Sequence, residues 1–84
     1  MHEVEIGHVT DFFAKPVVAG IHMTGNVNTG DLMRIKGHTT DLEFVLASMQ
    51  IDHGVVSAAH AGELIGIKVP ERVRQGDTIY KVIA

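Results

Sequence analysis

Apolar and polar residues alternate along most of this chain with the period of a β-strand. In residues 3–13, Val4, Ile6 and His8 fall on one side while Glu3, Glu5 and Gly7 fall on the other, which predicts a half-buried strand. Phe12 and Phe13 follow on opposite faces, one inward and one outward. Pro16 lacks an N–H and fixes φ, so that strand stops there. Val17–Met23 is an apolar, β-branched run suited to a second strand, with Gly20 leaving room for a close neighbour. Thr24–Gly37 reads as a strand end, a tight turn at Gly30-Asp31 and a strand over Leu32–Lys36, with Met33 and Ile35 pointing one way and Arg34 and Lys36 the other. Glycine supplies the positive φ such a turn needs. The same sequence of glycine, acid and strand returns at Gly62-Glu63 and Gly76-Asp77.

Two patterns compete over Thr40–Ile51. Leu42, Val45, Leu46 and Met49 form a helical stripe, and Thr40 with Glu43 has capping-box spacing. Glu43, Val45, Ala47, Met49 and Ile51 also alternate as a strand would. A strand is the better reading because its neighbours need a partner to complete a sheet. Asp52–Ala61 is then a connection, in which Ser57 could cap one helical turn. Glu63–Val69 is a strand with Ile65, Ile67 and Val69 on one face, Pro70–Gly76 is a charged loop, and Asp77–Ile83 is the last strand. Six or seven short strands joined by glycine turns predict an all-β fold: a small closed antiparallel barrel, since closure removes sheet edges.

Composition narrows the class. Eighty-four residues form a single domain, 1–84. With no cysteine, disulfides and thiolate metal sites are excluded. The start MHEVEIGHVT has no basic region followed by an apolar core, and no apolar run is long enough for a membrane helix, so the expected setting is cytoplasmic with no membrane partner. Net charge is −3, divided into −5 over residues 1–65 and +2 over residues 66–84. That balance argues against a strong general grip on nucleic acid and leaves only a small basic patch near the C-terminus.

The order of short motifs resembles the second, β-barrel domain of elongation factor Tu-type translation factors. The matching residues are Gly25, Val27, Gly30-Asp31, Ile35, Gly37, Ser48-Met49, Ile51, Ala61-Gly62-Glu63, Ile65-Gly66, Arg74 and Gly76-Asp77. The match is closer still to small stand-alone proteins described as translation elongation factor-like. The resemblance implies a barrel binding RNA or a translation protein. In the full factors this barrel helps hold the aminoacylated end of tRNA, and two positions that serve there align with Gln50 and Leu64, of which Leu64 cannot replace an amide. GTP is not expected as a ligand: Gly20 to Gly25 and Gly25 to Gly30 are the only Gly-x4-Gly spacings, and neither leads into the lysine of a phosphate loop.

Candidate binding residues are Lys68, Arg72 and Arg74, since arginine forks onto phosphate or carboxylate. Phe12 and Phe13 join them as a stacking or anchoring tip, and Gln50 by alignment. No catalytic residue, cofactor or metal site is expected. Ser48 and Ser57 stand in no nucleophile motif, and none of the six histidines shows His-x-His or His-x3-His spacing, although His8 and His22 could meet across strands. The expectation is therefore a non-catalytic binding module. A protein-interaction or scaffold domain is the rival, self-associating through an unpaired strand or the Phe12-Phe13 tip.

Overall fold

The computed structural model describes residues 2–83. Ten strands follow one another: β1 (His2–Ala14), β2 (Val17–Met23), β3 (Val27–Asn28), β4 (Leu32–Lys36), β5 (Asp41–Val45), β6 (Met49–Ile51), β7 (Gly54–Val56), β8 (Ala58–Ala59), β9 (Leu64–Lys68) and β10 (Thr78–Ile83). Eight of them make one antiparallel sheet in the order β5-β4-β10-β1-β2-β9-β6-β7, and β3 pairs with β8 separately. The sheet wraps around a core that includes Ile6, Ile21, Met33, Ile35, Ile67 and Ile79.

The all-β, antiparallel expectation holds, but a closed barrel does not form. Among the described residues the two edges, β5 and β7, do not pair. The Leu46 N–H donates to the Asp31 carbonyl and the Leu46 carbonyl accepts from the Gly30 N–H, which carries the β4–β5 pairing one step past Leu32 and Val45. The edges are blunted in place of closure: β7 is only three residues long, and β5 carries Asp41 and Glu43 tied to Arg34.

β1 departs from simple alternation twice. Its register against β10 shifts between Glu5 and Gly7, and against β2 between Val9 and Asp11. Each shift is an extra residue of the bulge kind, so inward positions fall three apart. Ile6 and Val9 are buried and Phe12 packs on the core, while Val4 and His8 face outward. Over residues 40–51 the strand reading holds, with a break. Leu42 and Phe44 face the core, Val45 is exposed, and Leu46 is buried between β5 and β6. The turn of helix at Ser57 is absent. Residues 49–56 form a hairpin instead, turning at Asp52 and His53, both with positive φ (50° and 66°) as a two-residue type I′ turn requires.

Three turns share one design. In Asn28–Asp31, His60–Glu63 and Arg74–Asp77 the third residue is a glycine with φ of 94°, 92° and 93°. In each, the final N–H donates to the first carbonyl (3.1, 3.2 and 3.0 Å), the type II pattern. The acid's carboxylate accepts from the first residue's N–H: Asp31 from Asn28, Glu63 from His60, Asp77 from Arg74. Each turn also clasps one buried residue from elsewhere in the chain. The Gly30, Gly62 and Gly76 N–H groups donate to the carbonyls of Leu46, Met23 and Val9. The N–H groups of those three donate back to Asp31, Glu63 and Asp77.

Candidate functional site

Cross-strand register builds a groove on the outer face of the sheet. On the outer face, Asp11 of β1 stands beside Gly20 of β2, Gly20 beside Gly66 of β9, Gly66 beside Gln50 of β6, and Gln50 beside Val55 of β7. Two adjacent glycines put bare backbone in the middle of this row. A groove of about 610 Å³ lies over them, walled by Phe13, Lys15 and Asp11 on one side and by Gln50, Asp52, His53 and Leu64 on the other. It runs on past Pro16 and Val18 into a smaller depression of about 140 Å³ that reaches Lys68.

Gly20 answers a packing need, since a Cβ there would lie 3.2 Å from the Thr10 Oγ1 of the β1 bulge. Gly66 answers none. A Cβ at Gly66 would meet only Val18 Cγ1, at 3.7 Å. Glycine inside a strand weakens it and gives up side-chain packing, so the open floor at Gly66 is a cost that the fold itself does not require.

The sequence-derived candidates divide. Gln50 and Phe13 border the groove, and Lys68 closes the adjoining depression. Phe13 is the outward aromatic, 56% exposed, whereas Phe12 packs on the core. Arg72 and Arg74 line neither. The Arg72 guanidinium lies over the Phe12 ring, 5.7 Å from its centre, a cation–π contact. Arg74 donates from Nε to Thr39 Oγ1 at 2.8 Å and gives its backbone N–H to Asp77. Its side chain is thus tied to the Gly37–Thr40 loop. Leu64, 64% exposed, forms part of the wall.

Elsewhere on the sheet, Arg34 lies within 4 Å of Asp41, Glu43 and Glu3 (2.9, 3.5 and 3.6 Å). The hydrogen bond to Asp41 raises its pKa above the ordinary arginine range; burial works against that, and the charges of Asp41, Glu3 and Glu43 reinforce it. Lys36 bonds Glu3 at 2.7 Å on the same side. This network holds β1, β4 and β5 together and leaves Arg34 committed to carboxylates. Among the described residues no cluster of three or more His, Asp or Glu is arranged to hold a metal, and no helix is long and apolar enough to cross a membrane.

The fold is that of a U32 peptidase C-terminal domain. The crystal structure of the C-terminal domain of a Geobacillus thermoleovorans protein named for the U32 peptidases superposes with a TM-score of 0.87 at 17% identity, covering 93% of this chain and 91% of that one. Its selenomethionine variant gives 0.86 at 15% identity, covering 90% and 96%. In sequence, the chain is 42% identical over 79 residues to a Methanocaldococcus jannaschii protein named as an uncharacterized protease. The match takes in 93% of this chain and spans 19% of that relative's length. No family model matches the chain.

These findings correct the resemblance to elongation factor Tu and the translation or RNA role drawn from it. The expectation of a module that is no enzyme is overturned as well, because the relative is named a protease and the structural neighbours are domains of proteins named for peptidases. The physical source of the error is visible. Gly30-Asp31, Gly62-Glu63 and Gly76-Asp77 carried much of the resemblance, and they are the three type II turns. They report turn chemistry, which unrelated families share.

Proposed function

We propose that this chain works as the β domain of a U32-peptidase-class protein and holds the polypeptide on which that protein acts. The observation that carries the reading is the glycine-floored groove. An extended chain can lie across Gly20 and Gly66 at backbone distance, with Phe13 and Leu64 offering apolar contact at the walls and Asp11, Gln50 and Asp52 offering hydrogen-bond partners. The relationship to a protein named as a protease supports a polypeptide as the occupant.

The test fills the floor. A Cβ at Gly66 meets only Val18 Cγ1 at ordinary contact distance, so Gly66→Ala folds, and Gly66→Val adds a β-branched side chain that a strand favours on the open outer face. The alanine variant gains stability by roughly 0.4–1 kcal/mol through the unfolded state. Binding of an unstructured polypeptide such as reduced casein, followed by fluorescence anisotropy, should weaken about tenfold in the valine variant, about 1.4 kcal/mol. Equal affinity for the wild type and Gly66→Val would remove the groove from the reading.

A further inference from the structure

We propose that His8 and His22 form a divalent transition-metal site one cross-strand row from the groove. The two residues are direct partners in the β1–β2 register and both point to the outer face. Their ring centres lie 5.2 Å apart with the planes tilted by 43°. A tetrahedral zinc bound by two imidazole nitrogens at about 2.0–2.1 Å sets the ring centres about 5 Å apart, since each centre sits about 1.1 Å behind its nitrogen. The observed separation of the ring centres is the one such a metal would need, with the ring nitrogens turned toward it by side-chain rotation.

A second observation points the same way. His22 Nδ1 is shielded from solvent and has no hydrogen-bond partner. A shielded nitrogen without a partner is costly and calls for a ligand. Neutral imidazole is also a preferred donor for zinc, copper and nickel. Among the described residues no third His, Asp or Glu joins the pair, so the remaining coordination positions would fall to water, a more open arrangement than the three-ligand sites of zinc enzymes. Leu64 stands beside His22 in the β2–β9 register and also lines the groove. The metal would therefore sit one cross-strand row from the glycine floor. The inference does not depend on what the groove holds.

The experiment is a Zn²⁺ titration of the chelator-stripped 84-residue protein by calorimetry, with Co²⁺ absorption spectra in parallel. One saturable equivalent is expected, with His8→Ala and His22→Gln each weakening it by about tenfold or more. His53→Ala and His60→Ala should leave it unchanged. Long-range ¹H–¹⁵N spectra of the rings should show shifts of one nitrogen in each of His8 and His22 on metal addition, a signature that loss of packing alone does not produce. Because His8 is exposed, its alanine variant folds and keeps the test decisive. No saturable uptake, or uptake that survives both substitutions, would overturn the proposal.

Discussion

Individual residues here are set by what stands opposite them across the sheet. Gly37 is an example. A Cβ at that position would overlap the carboxylate of Asp77, which is only 5% exposed and already bonded to the Arg74 N–H at 2.9 Å. Gly37→Ala should therefore cost about 1–3 kcal/mol by overpacking, read from urea midpoints with an unchanged slope. Combined with Asp77→Ala, the overlap vanishes, so the double variant should be less destabilised than the sum of the singles. An additive result would mean the two residues do not touch. The histidines follow the same logic. Spacing along one strand gives no hint of a pair, and His8 and His22 meet only through register.

Elements were legible in the sequence wherever one period ran without interruption. Met33 and Ile35 in β4, and Ile65, Ile67 and Val69 in and after β9, are buried where alternation puts them. The three glycine-acid turns were legible too, because a positive φ followed by an acid has a local cause. β1 was misread in phase, since nothing in the string HEVEIGHVTDFFA marks two extra residues; they exist only relative to β10 and β2. The groove was hidden for the same reason: Gly20 and Gly66 are far apart in sequence, and their meeting is a property of the β2–β9 register. The turns themselves should differ in worth. Removing the buried acid by Asp77→Ala should cost about 1–2 kcal/mol, as loss of a capping acceptor does, and the more open Asp31→Ala under about 1 kcal/mol. Equal losses in denaturant midpoints would show that burial of the acid is irrelevant.

At the scale of the whole molecule, the described residues have a radius of gyration of 11.3 Å, close to the roughly 12 Å expected for a compact chain of this length. Compactness is reached without closing the sheet, because each turn clasps a buried residue from another part of the chain. The amides of Val9, Met23 and Leu46, and of Gly30, Gly62 and Gly76, are the donors in those clasps. Hydrogen exchange should find all six opening only with global unfolding and with one common free energy. Early exchange at Gly30 and Leu46 alone would show that the β5–β6 crossing opens by itself. The closed barrel was expected from the principle that exposed edges are dangerous. β5 meets that danger another way, with Asp41 and Glu43 tied to Arg34 along its length.

The pairing of β1 with β10 sets His2 beside Ile83 in the middle of the sheet, on strands that run in opposite directions. A pull applied to the two ends is therefore felt by one rung of hydrogen bonds at a time, beginning at that pair. The molecule is mechanically a zipper: whatever its clasped turns add at rest, under tension it gives way at low force, from the two ends inward.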